Sequence, residues 1–244
     1  MRNYRQLHAR LVDLLNIKVP PLAITFSNSK SDQIEDFKVA YPKKTKDGRT
    51  GAVSAGCVFW MEGVERTFAT TPEDHGNCSV GSLTHGLKTL DDVASNADVE
   101  AVCESGWVSP EIFPDIPVVH SKYENIIYGP LCDVTNEPNV ILLRLIAKQV
   151  MQIQAAVPGL LFEGKPQCHI VPLAKEDNEI AVSAGCMLSR ARTGMKNDEL
   201  TCAIPNSRLE ELLAGLEKVV EADSMVASYA ASDAQRFTQG LVDK

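Results

Sequence analysis

The chain has 244 residues with a net charge of −8, and 44% of its residues are apolar against 23% charged. That balance suits a globular protein of one large or two small domains with a good core. The negative charge argues against general nucleic-acid binding and against docking on an anionic membrane, since both need a basic footprint.

Residues 3–16 predict an amphipathic helix, with Tyr4, Leu7, Leu11, Leu14 and Leu15 at helical spacing among Arg, His and Asp. The same residues do not form a signal peptide, because no continuous apolar core follows the basic start. No run approaches the ~18 apolar residues of a membrane span, so a cytoplasmic protein is expected. Val19-Pro20-Pro21 stops the helix. Residues 21–26, PLAITF, then read as a buried strand. Residues 42–49 form a basic loop and lead directly into AVSAGC at 52–57.

Farther on, HGNCSVGSLTHGLKTL (75–90) predicts a helix with Asn77 as its N-cap and Cys78 in its first turn. Residues 117–131 alternate enough for one or two strands. A strand from about Val140 to Leu143 passes into a helix ending near Ala156, where Pro158-Gly159 terminates it. CHIVPLA (168–174) and EIAVSAG (179–185) predict a hairpin across a polar loop. Ser207 and Glu210 form a capping-box pattern opening a helix through Val220, and a last polar helix covers roughly 225–239.

AVSAGC recurs at 181–186, 129 residues after its first appearance. Each copy follows an apolar strand, PLAITF or VILLRL, and each is followed by a further cysteine, Cys78 or Cys202. Coincidence among common residues is the bland alternative; duplication accounts for more of the surroundings. The expected fold class is therefore α+β and internally duplicated. Two strand/helix halves, about 17–131 and 138–220, would pack about a pseudo-two-fold axis into one compact domain covering 1–244, flanked by helices 3–16 and 225–239.

PPLAITF, AGCVFWMEG, HGNCSVGSLTHGL, EPNVILL and SAGCMLSRARTGMKNDELTCAIP together resemble the DUF169 family over nearly the whole chain. The resemblance implies one duplicated domain and a prokaryotic, often anaerobic, setting. It implies no chemistry and no catalytic residues.

Seven cysteines cannot all pair, and a reducing compartment keeps them as thiols. If the halves are symmetric, Cys57 and Cys186 occupy equivalent places, with Cys78 and Cys202 converging on them and Cys168 as a further candidate. Four thiolates suit an iron–sulfur cluster, [4Fe–4S] included, or a tetrahedral zinc. No C-x-x-C is present, so the fold must assemble such a site, and small cysteines filling a tight core remain the plain alternative. Gly56 and Gly185 would let the backbone approach a cofactor. Arg190 and Arg192, with rough counterparts in Glu62 and Arg66, could balance cluster charge or hold a carboxylate or phosphate; solvated or structural pairing is their ordinary use. Phe59, Trp60 and Trp107 could line an apolar pocket or simply pack the core.

Cys78 in a first helical turn, with His75 and His85 near it in sequence, also allows a thiol nucleophile. His169 would point away from Cys168 in a strand. G-x-G-x-x-G, Walker A, G-x-S-x-G and H-E-x-x-H are absent. The leading expectation is a cysteine-ligated iron–sulfur or other metal protein, serving electron transfer or redox chemistry on a small molecule. A metal-free module binding a small ligand or a tetrapyrrole such as haem, and a thiol enzyme using Cys78, stay open. Expected partners are a small-molecule substrate or a redox partner protein, with a homo-oligomer possible and no nucleic acid or membrane.

Overall fold

In the computed structural model, residues 2–37, 56–76, 78–163 and 166–242 are described. The first helix, α1 (Tyr4–Leu15), runs where its apolar spacing predicts it. Asn3 caps it by accepting from the Gln6 amide, and Asn16 ends it in the left-handed region, which asparagine tolerates. Then come β1 (Leu22–Ser27), α2 (Gly56–Glu62), β2 (Phe68–Thr70), α3 (Ser79–Thr84), α4 (Leu90–Val93) and α5 (Ala97–Glu104). The remainder comprises β3 (Asn125–Pro130), β4 (Val140–Leu145), α6 (Ala147–Ala156), β5 (Leu161–Glu163), α7 (Ile170–Glu176), β6 (Ala181–Ser183), α8 (Met187–Thr193), β7 (Leu200–Pro205) and α9 (Leu209–Val242).

The seven described strands make one mixed sheet in the order β2-β3-β1-β4-β7-β6-β5. Neighbours are antiparallel except β5 and β6. The class is α+β. Alternate strand residues face opposite sides. Ala23, Ile141, Leu143, Val182, Cys202 and Ile204 turn to one side, where α1, α6 and α9 cover them. Leu22, Ile24, Tyr128, Leu142, Ala181 and Ala203 turn to the other, under Phe59 and Trp60 of α2 and Ile170, Val171 and Ala174 of α7. Each fully buried Leu, Ile or Phe contributes about 1.5–3 kcal/mol. A one-residue slip in any central strand would exchange the two faces, so the register is firmly specified.

Several local expectations need correction. Residues 168–174 are not a strand: Gln167–His169 form a 3-10 turn that runs into α7. A short apolar run does not distinguish strand from buried helix, and Pro172 lies in the first turn of α7, where its missing N–H has no intrahelical partner to lose. β6 pairs instead with β7 and β5. The proposed helices at 207–220 and 225–239 are one 34-residue helix, α9, because nothing between Val220 and Met225 breaks it. Ser207 does not cap it; its hydroxyl donates to Asn178 at 2.6 Å. Gly215 serves the packing of α9 on α6, since a Cβ there would lie 2.2 Å from the Ala156 carbonyl oxygen. Within 117–131 there is one strand, β3. The basic loop at 42–49, most of the first AVSAGC and Asn77 lie outside the described residues.

Candidate functional site: a cavity lined by four cysteines

The α2 and α7 side of the sheet carries a cavity of about 40 Å³ lined by Cys57, Cys78, Cys168 and Cys186. The four come from four separate elements. Cys57 is the second residue of α2, Cys78 is the N-cap of α3, Cys168 is the middle of the 3-10 turn, and Cys186 is the N-cap of α8. Helix α2 packs on α8, and α3 packs on the turn carrying Cys168, which places all four cysteines on the lining of one cavity. Both AVSAGC runs thus end at the start of a helix that borders the cavity.

Cys78 is one position earlier than expected: it precedes α3 with extended backbone, and its sulfur accepts the Gly81 N–H at 3.4 Å. Cys57 and Cys168 have the hydroxyls of Ser189 and Thr84 beside them, and these favour the thiolates. The backbone amides of Ser189 and Leu188 do the same for Cys186. Gln167 donates to Ser189 at 2.7 Å, tying α8 to the Cys168 turn. Val80, Val102, Trp107, Val108, Phe113 and Leu188 make the cavity wall largely apolar.

Burial dominates the electrostatics. Burial first, and then the neighbouring Cys78 thiol, push Cys57 up to about 12. Cys168 is held well above the usual thiol range by burial, then by Cys78 and Cys186. Burial also raises Cys78 and Cys186, against the opposing pull of nearby amides and of Arg192. All four are half-buried, and what they face is the cavity. Without a cation among them they are neutral thiols at neutral pH, which is the opposite of an activated Cys78 nucleophile.

Cys202 does not join them. It lies in β7 on the opposite face of the sheet, fully buried in the α1, α6 and α9 core. Even spacing along the strand put it there. Cys103 and Cys132 do not line the cavity either.

The two arginines separate in role. Arg190 is committed to the backbone, donating to the carbonyls of Lys196, Ala184 and Glu199. Gly185 makes room for it: its φ is +107°, and a Cβ there would meet the Arg190 guanidinium at 2.9 Å. Gly185 therefore clears an arginine rather than a cofactor, while Gly56 faces the His85 ring, 3.4 Å from where a Cβ would stand. Arg192 points into the cavity. Glu62 and Arg66 pair with each other at 2.8 Å.

His75 and His85 are not on a surface; each is 1% exposed, in the core behind Gly56. His85 donates from Nδ1 to the Gly81 carbonyl at 2.8 Å. The Thr70 hydroxyl donates to Ile126 O, so His75 Nε2 is the donor in its 3.0 Å contact with that hydroxyl. Burial lowers both, His85 to about 4, and they are neutral.

Sequence reasoning missed Asp98, Gln167 and Ser189. Asp98 also lines the cavity and accepts from the Ser79 amide at 2.9 Å and hydroxyl at 2.7 Å. Only its place near the start of a helix hinted at a role. Among the described residues no three His, Cys, Asp or Glu side chains close around a point as one metal ion requires; the thiols surround a void. No described helix is long and apolar enough to cross a membrane.

The DUF169 family, described as uncharacterised ArCR, matches residues 10–215. No curated protein and no solved structure matches the chain.

Proposed function

The chain belongs to the DUF169 family, and since that family supplies no chemistry, we propose from its own cavity that it binds an iron–sulfur cluster through Cys57, Cys78, Cys168 and Cys186. The observation that carries this reading is the convergence of four thiols from four elements on one apolar cavity. Cys168 takes the place first given to Cys202. Four thiols lining one cavity can give up their protons together to a metal cation, which offsets the cost of burying the thiolates. Four thiolates are the common ligand set of such clusters.

The dimensions favour a compact inorganic group. About 40 Å³ exceeds the ~10–15 Å³ needed by one water and falls far below the ~300 Å³ of organic-ligand pockets. Such a space suits a compact inorganic group better than a tetrapyrrole. Thiols arranged around a void suit several irons better than a single zinc, whose sulfurs must all approach within about 2.3 Å of one point. When bound, the cluster supplies one-electron redox chemistry. Cys57, Cys78, Cys168 and Cys186 would ligate its irons, the Val80, Val102, Trp107 and Leu188 wall would keep water away, and Arg192 and Asp98 would set the local charge.

Electron transfer with a partner protein, or reduction of a small molecule, is the activity that follows, in a soluble setting without nucleic acid. We also read the two AVSAGC runs as a duplication: both end at helices, α2 and α8, that pack on each other beside the cavity. Anaerobic reconstitution with iron and sulfide tests the ligand set. Wild type and Cys202→Ala should take up the same iron, whereas each of the four cavity variants should take up less; uptake equal in all six proteins contradicts the assignment.

A further inference from the structure

Arg192 carries the clearest unexplained group in the molecule. Its guanidinium lines the cysteine cavity, and its Nη1 is buried with no hydrogen-bond partner among the described residues. No ion pair of Arg192 is found among them. Neighbouring arginines are satisfied: Arg190 by three carbonyls, Arg66 by Glu62, and Arg144 in part by Glu199 at 2.6 Å. Among the described residues the one carboxylate that shares the cavity, Asp98, is occupied by Ser79, which Asn96 holds in turn at 2.8 Å. Asp98 and Arg192 thus line one cavity without pairing.

A guanidinium stays charged in any surroundings proteins offer. Left unpaired in an apolar cavity it is costly, and a buried cation calls for an anion or acceptor to face it. Helix α8 brings this one to the cavity that Cys57, Cys78, Cys168 and Cys186 also line. No backbone carbonyl competes for its buried nitrogen.

Building on the cluster reading, we infer that Arg192 is the counter-charge of the thiolate-bound cluster and sets its reduction potential. Four thiolates leave an iron–sulfur cluster anionic, and one electron from a donor adds a further negative charge. Arg192 remains protonated throughout, so it stabilises the reduced form more than the oxidised form. Net charge and hydrogen bonds to sulfur are two of the ways a protein sets such potentials. Arg192 is a tuning residue; it takes part in no bond-making step.

The test compares wild type, Arg192→Met and Arg192→Lys, purified without oxygen, by iron and sulfide content and by mediated redox titration. The expected result is unchanged cluster content with a lower potential in Arg192→Met, by at least a tenfold change in the reduction constant, about 59 mV for one electron. Arg192→Lys, which keeps the charge, should stay near wild type. Equal potentials with equal cluster content overturn the inference and leave the cluster reading intact. Absence of iron and sulfide from wild type overturns both. Should Arg192→Met fail to hold a cluster, Arg192→Gln replaces it, and a potential equal to that of Arg192→Lys overturns the inference.

Discussion

The Gly81 N–H donates to the Cys78 sulfur at 3.4 Å, and a Cβ on Gly81 would stand 3.2 Å from that same sulfur. The glycine therefore both supports the thiolate and leaves it room. Gly81→Ala separates the two effects. Alanine should stabilise the helical backbone of α3 by up to ~1 kcal/mol, while crowding should displace the sulfur and weaken cluster retention about tenfold. Melting temperature and iron content would then move in opposite directions. Unchanged iron in a folded variant would show that Cys78 does not need this place.

Cys202 and Cys168 make a matched pair for the ligand assignment. Cys202→Ala removes one small group from a filled core and should cost about 1 kcal/mol with iron content unchanged. Cys168→Ala should lower iron content. Denaturant melts with parallel iron analysis distinguish the two, and loss of iron in Cys202→Ala alone would reverse the assignment.

This pair also marks what could be read from the residues themselves. The repeated AVSAGC located Cys57 and Cys186, and the polar run before α3 located Cys78. Cys168 ranked below Cys202 because the duplication matched Cys202 with Cys78, while Cys168 was a further candidate only through an expected strand at 168–174 beside the one carrying Cys186. Both errors are three-dimensional in origin. The side of the sheet that Cys202 faces depends on register with β4, where it lies opposite Leu143, and CHIVPLA is too short for its apolar pattern to reveal a helix. The wall residue Trp107 was named as a pocket candidate, whereas Asp98 and Ser189 act through partners distant in sequence. Helix α9 could have been read whole, since nothing between Val220 and Met225 breaks it.

Gly185→Ala should destabilise the protein by about 2 kcal/mol. The substitution forces a Cβ onto a backbone at φ +107° and into the Arg190 guanidinium at 2.9 Å. Urea denaturation measures it. An effect no larger than that of an ordinary surface alanine would mean that Arg190 does not clamp this loop.

Acid should act through the buried histidines. Unfolded His85 takes up its proton near pH 6.5, and the folded state resists until about pH 4. Between those values the unfolded state binds more protons, so stability falls as pH falls. The loss from His85 is about 3 kcal/mol, and His75 adds to it in the same direction. His85→Asn retains an N–H for the Gly81 carbonyl but cannot titrate, so its stability should drop less between pH 7 and pH 4. The same drop as wild type would assign the acid sensitivity elsewhere.

The central claim is that Cys57, Cys78, Cys168 and Cys186 hold an iron–sulfur cluster. It is tested most directly by measuring iron and acid-labile sulfide in the full chain purified under strict anaerobiosis. The account predicts both in stoichiometric amounts, with broad visible absorbance that bleaches on reduction. A colourless protein with neither iron nor sulfide, unable to take them up on reconstitution, would contradict it.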